Sequence, residues 1–343
     1  MLTRRTALKG LGAAALLPGA AAAAQAPVTA RKPPRLRPGD VVGLIPPAGF
    51  AADFSGPQQS EATIRALGLV PKLGQHLNDR HGYLAGTDEA RAADVNAMFA
   101  DRSVRAIFAA RGGWGSARIL PLLDWTVIAA NPKLLIGFSD ITALHLAIAA
   151  RGGFPTIHAP NAEANWGPLS SGTFRNLAFD AGLPFYQASA AADPLAAYGS
   201  SSVQTLRPGR ATGRLIGGNL TVLSTLMGTP YLPNFDGAIL FLEDVEEPVY
   251  SVDRMLTQLM LSGLFRRVAG VVFGRCSRCA GGTPGSSFTL LDVMTRHLRP
   301  LGVPVFAGAM IGHIANQLSL PVGVRAEIDA TAGTIRILEP AVA

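Results

Sequence analysis

The stretch Leu134-Leu135-Ile136-Gly137-Phe138-Ser139-Asp140-Ile141-Thr142-Ala143-Leu144-His145 reads as a buried strand that breaks at a glycine and restarts as an apolar helix. A short apolar run bounded by a turn signal is the pattern of a strand covered on both faces. A serine at such a corner has its Oγ held out of the backbone. The N–H groups of the following first turn then face whatever that oxygen attacks. The other reading of Ser139 is a helix N-cap, for which serine is a favoured residue. The segment alone leaves both readings open, and partners elsewhere in the chain must separate them.

Outward from this corner, strands and helices alternate. Residues 41–45 read as a strand ending at Pro46-Pro47-Ala48-Gly49, residues 57–67 as a helix, and 88–100 as a helix with Ala92, Val95, Met98 and Phe99 on one face. A strand over 104–110, a helix over 116–123, the strand 134–138 and a helix over 141–150 continue the rhythm. Such alternation predicts an α/β fold, with a parallel sheet covered by helices on both faces. Ligands of such sheets sit at the carboxyl ends of the strands, where Ser139 and the loop 111–116 both fall. Residues 161–211 lose periodicity and gain Ala, Ser, Gly and Pro, as a linker or crossover would. A second unit begins near Gly213, with strands over 238–243 and 269–273, a long amphipathic helix over 251–265 and a helix over 290–298. Strands over 303–309 and 324–329 then lead into a final hairpin through Thr331-Ala332-Gly333-Thr334. The predicted organisation is a Pro-rich lead-in at 25–37, an N-terminal flavodoxin-like parallel-sheet domain at 38–160, the crossover at 161–211, and a smaller C-terminal α/β domain with a mixed sheet at 212–343.

The first residues carry a separate signal. Arg4-Arg5 and Lys9 precede a short stretch of small and apolar residues without an acid, ending at Ala22-Ala23-Ala24. That is the pattern of a twin-arginine export signal over 1–24, too short to span a bilayer. The expected location is therefore the periplasm, with the cytoplasm as the alternative, and no stable membrane insertion follows signal removal. Removal takes away three bases and no acid, so the formal charge falls from +7 to +4. A surplus that small, with no basic run, is not the footprint of a nucleic-acid binder. The only cysteines, Cys276 and Cys279, have neither a second C-x-x-C nor a nearby His pair to complete a metal site. They follow a strand rather than opening a helix, which favours a disulfide in a strand-end loop over a thioredoxin-type motif.

Three further places could carry chemistry. Arg111-Gly112-Gly113-Trp114-Gly115-Ser116 follows a strand and opens a helix, so its N–H groups could cradle a phosphate or an oxyanion, or its glycines could simply serve a tight turn. It lacks both the G-x-G-x-x-G and the P-loop pattern. Glu243 stands where Ile239-Leu240-Phe241-Leu242 gives way to acids, a position that can orient a histidine or merely be a solvated strand end. Among six histidines, His313, just past an apolar strand, and His158, at a strand end, are the two candidates for a general base. Position separates them poorly.

The set Arg111–Ser116, Gly137-Phe138-Ser139-Asp140, Gly217-Gly218-Asn219-Leu220, Leu242-Glu243-Asp244, and Gly312-His313 with Leu320-Pro321-Val322-Gly323 resembles the LD-carboxypeptidase family. These are serine peptidases that trim muropeptides, with the microcin-C self-immunity peptidases as relatives. Gly82-Tyr83-Leu84-Ala85-Gly86-Thr87-Asp88 and Arg91-Ala92-Ala93-Asp94 add to the match. The resemblance implies Ser139 as nucleophile, His313 as general base, Glu243 as its orienting acid, and an oxyanion hole from the N–H groups of Gly113 and Asp140. It implies no cofactor or metal, a murein tetrapeptide or muropeptide substrate contacted by Arg111, Trp114 and Asn219, and a homodimer. The family commonly has Tyr where Trp114 stands and Gly where Ala159 stands. Alternatives are a microcin-immunity-type peptidase for aminoacyl-nucleotide conjugates, with Trp114 and Trp166 available for stacking, and a periplasmic muropeptide-binding protein. An α/β-hydrolase esterase is disfavoured because Ile141 replaces the last glycine of its G-x-S-x-G elbow.

Overall fold

A computed structural model of the chain describes residues 31–50, 56–187, 203–279 and 287–343; the expected export signal at 1–24 lies outside these. The first half runs β1 (Val41–Ile45), α1 (Gly56–Ala66), β2 (Val70–Leu73), α2 (Asp88–Ala100), β3 (Ala106–Ala109), α3 (Ser116–Ile119), α4 (Trp125–Ala130), β4 (Leu134–Gly137), α5 (Thr142–Ala147) and β5 (Thr156–His158). Strands β3 and β4 are buried at every position, which is why they read as continuous apolar runs rather than alternating ones. Helix α2 starts where predicted because Thr87 accepts from the Ala90 N–H, with Asp88 and Glu89 in the first turn. The strands β2, β1, β3, β4 and β5 lie side by side and parallel.

The predicted crossover at 161–211 is more structured than its composition suggests. It holds α6 (Pro168–Ala178), β6 (Phe185–Gln187), β7 (Gln204–Arg207) and the start of β8 (Arg210–Asn219). Proline at the start of α6 fits a first helical turn, and Phe174, Leu177 and Ala178 bury against the outer face of the first sheet. The two short strands sit at the edges of the second sheet, where few apolar residues are needed, so they left little trace in the pattern.

The rest of the chain runs α7 (Leu220–Thr225), β9 (Ile239–Val245), α8 (Val249–Leu261), β10 (Gly270–Ser277), α9 (Leu290–Leu298), β11 (Val305–Ala307), β12 (Leu320–Val322), β13 (Arg325–Asp329) and β14 (Thr334–Ile337). The second sheet has the order β6-β14-β13-β8-β9-β10-β11-β7, parallel from β8 to β11 and antiparallel at both flanks. It is mixed, as expected, but it has eight strands to the first sheet's six, so it is not the smaller layer. The expected disulfide joins Cys276 and Cys279, with Cys276 inside β10 rather than beyond it. Among the described residues no helix is long and apolar enough to cross a membrane.

The two halves are fastened together in three ways. Strand β12, from the second half, pairs antiparallel with β5 and becomes the edge of the first sheet. One apolar core contains Ile107, Leu144 and Leu146 from the first half with Leu220, Leu240 and Val271 from the second. Finally, the Asn219 N–H donates to Thr142 Oγ1 at 2.9 Å, which ties the end of β8 to the start of α5. A side chain at Gly218 would collide with Thr142, so glycine there permits the approach.

Candidate active site

Ser139 follows β4 and opens a short 3-10 turn, Ser139–Ile141, that leads into α5. Its φ is +63°, a left-handed conformation that costs a non-glycine residue about 1–3 kcal/mol and persists only when its surroundings enforce it. The surroundings do so: the preceding Phe138 N–H donates to Asn161 Oδ1 at 3.1 Å, and the Ile141 N–H closes the turn on the Phe138 carbonyl. The N-cap reading fails, since the turn and α5 are preceded by Phe138 and Ile141, with no side-chain cap at either.

The Ser139 hydroxyl is instead 3.0 Å from His313 Nε2, and His313 Nδ1 is 2.8 Å from Glu243 Oε2. Glu243 is fully buried near the end of β9, while His313 lies in the loop after β11. The serine comes from the first sheet and its two partners from the second. Contact depends on Gly312, whose φ is +112°, because a Cβ there would sit 2.8 Å from Glu243 Oε2. Burial opposes the charged form of His313, but the charge and hydrogen bond of Glu243 outweigh it, so its pKa stands above the ordinary histidine value.

His158, the other candidate base, is not at the site's surface. It is completely buried, with its ring edge-on to Phe138 and Phe241, and burial holds its pKa well below the usual value. His145 lies nearby, bonded to Thr156 Oγ1 and the Gly137 carbonyl.

The glycine loop is clamped to the serine corner. Asp140 Oδ2 accepts from the Ser116 N–H at 2.7 Å, and Ser116 Oγ donates back to the Asp140 carbonyl. Buried Arg91 donates to the carbonyls of Pro47 and Gly115 and pairs with Asp88. The end of the glycine loop at Gly115-Ser116 and the corner at Asp140 are therefore fixed relative to one another. Burial raises the Asp140 pKa.

Ser139, His313, Gly113 and Arg111 share a cleft of about 440 Å³ with Gly112, Phe138, Asn161 and Glu163. Arg111 is paired with Glu163 at 3.1 Å. The other expected contacts differ. Trp114 is partly exposed and outside the cleft lining, and Asn219 is buried, capping α7 through the Val222 N–H and donating to Asp244 Oδ1 at 3.0 Å. Asp244 also accepts from Thr221, and burial and the adjacent Glu243 push its pKa up to about 6. Asn161, Ser116 and Arg91 were missed as functional candidates; only the placement of Asn161 just after the β5 strand end, the expected ligand side, could have marked it. Among the described residues no group of three or more His, Cys, Asp or Glu is arranged to hold a metal.

An α/β scaffold that presents a strained serine to a histidine backed by a buried carboxylate has the layout of a nucleophilic hydrolase. Residues 42–159 match the LD-carboxypeptidase N-terminal domain and residues 212–328 the LD-carboxypeptidase C-terminal domain, so the chain belongs to the LD-carboxypeptidase family of peptidases. It is 34% identical over 316 residues to the "probable murein peptide carboxypeptidase" of Bacillus subtilis (strain 168), covering 91% of this chain and 95% of that one. It is also 34% identical over 300 residues to the murein tetrapeptide carboxypeptidase of Pseudomonas aeruginosa, covering 85% and 93%. The solved microcin C7 self-immunity protein MccF, in complex with aspartyl sulfamoyl adenosine, superimposes with a TM-score of 0.81 at 26% identity, covering 91% of this chain and 99% of that one.

Proposed function

We propose that this protein is a serine-type LD-carboxypeptidase that removes the terminal D-Ala from murein tetrapeptides. The hydrogen-bonded series Ser139–His313–Glu243 carries the reading. His313 Nε2 accepts the hydroxyl proton as Ser139 Oγ attacks the carbonyl carbon of the diamino acid. The Gly113 and Asp140 N–H groups hold the resulting oxyanion. His313 then gives the proton to the departing D-Ala nitrogen, leaving an acyl-enzyme. Water, deprotonated by the same imidazole, attacks the ester, and its proton returns to Ser139 as the tripeptide leaves. Glu243 stabilises the imidazolium formed in each half-reaction and holds the ring in the tautomer that leaves Nε2 free to accept.

Mass spectrometry of a tetrapeptide digest tests this. Wild type should release D-Ala, and Ser139→Ala should lose on the order of 10⁴-fold in turnover. An Ser139→Ala variant as active as wild type would sink the mechanism. The likeness to MccF favours a second reading, cleavage of aminoacyl-nucleotide conjugates. Turnover of an aminoacyl sulfamoyl adenosine without turnover of the tetrapeptide would establish that reading instead. We further propose that the twin-arginine signal sends the protein to the periplasm, where tetrapeptide stems occur on the wall. Cell fractionation tests this, and uncleaved protein confined to the cytoplasm would refute it.

A further inference from the structure

Asn161 follows β5 and is almost wholly buried, yet it lines the cleft beside Ser139. A backbone N–H can only face an acceptor, so the bond from Phe138 assigns Oδ1 to the serine corner. Trp166 Nε1 fixes the same residue from behind by donating to its main-chain carbonyl at 3.0 Å. The planar amide then carries its NH₂ away from Phe138. A methyl group placed on Gly112 would lie 3.2 Å from Ser139 Oγ and 3.4 Å from Asn161 Nδ2, so nucleophile and amide border the same small space. Arg111, paired with Glu163, presents guanidinium N–H groups to that cleft.

We propose that Asn161 is a specificity residue: its Nδ2 binds the free α-carboxylate of the amino acid being released, beside the guanidinium of Arg111. This rests on the carboxypeptidase reading above. In such a substrate only the amide nitrogen and one carbon separate the attacked carbonyl from the terminal carboxylate. A donor that close to Ser139 Oγ is therefore in range of that carboxylate when the carbonyl is in range of the serine. Asn161 thereby couples two requirements, since the amide that shapes the serine corner also checks that the chain ends there.

The test compares a tetrapeptide ending in a free acid with the same peptide ending in a carboxamide, using wild type, Asn161→Asp and Asn161→Ala. Aspartate keeps the acceptor for the Phe138 N–H but replaces the donor with a repelling oxygen. The preference of wild type for the acid, as a ratio of kcat/KM values, should fall roughly tenfold or more in Asn161→Asp, chiefly through KM for the acid. Asn161→Ala should lose the same preference and also lose kcat on both peptides. Loss of activity on acid and carboxamide in equal proportion in both variants would overturn the proposal and leave Asn161 as a support for the turn alone. Wild type that cleaves neither peptide would instead refute the function on which the proposal rests.

Discussion

In the proposed mechanism the imidazole of His313 must be neutral to take a proton from Ser139, while Glu243 beside it stabilises the charged form. Because its pKa is raised, activity should fall on the acid side as pH drops through a value above the ordinary 6.5 for histidine. Glu243→Gln removes the negative charge, so the imidazolium loses its support and that acid limb should move to lower pH. The same variant should lose roughly 10³–10⁴-fold in kcat, because the ring is no longer held in the right tautomer. A pH profile of kcat/KM for both proteins measures the shift, and an acid limb that stays in place would rule out Glu243 as the charge that sets it. At this scale Ser139 was legible, because a polar residue at a strand-to-helix break stands out against its apolar neighbours. The choice between His313 and His158 was not legible from position, since His158 ends one apolar strand and His313 closely follows another. Burial of His158, and the bonds of His313 to Ser139 and Glu243, distinguish them.

Elements place these side chains through short, strained connections. Gly312 joins the loop after β11 to His313 with positive φ and almost no room above Glu243. Gly312→Ala should therefore cost about 1–3 kcal/mol of stability. It should also lower kcat at least tenfold by displacing the imidazole, about 1.4 kcal/mol of barrier. Urea melts and steady-state kinetics on the same preparation check both, and an alanine variant of native stability and activity would show that the loop can yield. The disulfide is a milder restraint. Cys276 sits opposite Asp244 in register, one strand from Glu243, but the loop it closes spans only to Cys279. Replacing both cysteines by serine should cost no more than about 2 kcal/mol, since so short a loop loses little unfolded-state entropy when closed. A larger loss in a thermal melt would mean that the bridge supports the end of β10 rather than only closing its loop. The long helices were legible because burial of one face imposes a period on them, and the central strands because burial on both faces makes them continuous apolar runs, whereas β6, β7 and α7 are too short to show either.

For the molecule as a whole, the site spans two sheets that share one apolar core, and the second half of the chain donates β12 to the first sheet. They should unfold together. All three tryptophans, Trp114, Trp125 and Trp166, lie in the first half, while Leu220 of α7 is fully buried in the second. Leu220→Ala should destabilise the protein by about 2–5 kcal/mol. The tryptophan fluorescence and far-UV circular dichroism midpoints should fall together. Separated transitions would mean that the halves are independent units and that the Ser139–His313 contact depends on how they dock.

The sequence by itself determined the α/β class, the serine corner and the family, because periodic burial and short ordered motifs are local properties of the chain. The tertiary structure alone decided which histidine meets the serine, that Asn219 caps a helix rather than lining the cleft, and that Asn161 does line it. It also decided that the stretch at 161–211 supplies edge strands and a packed helix. Most of those outcomes depend on contacts between residues well separated along the chain, from 23 positions for Asn161 with Phe138 to 174 for His313 with Ser139, and no local pattern encodes them.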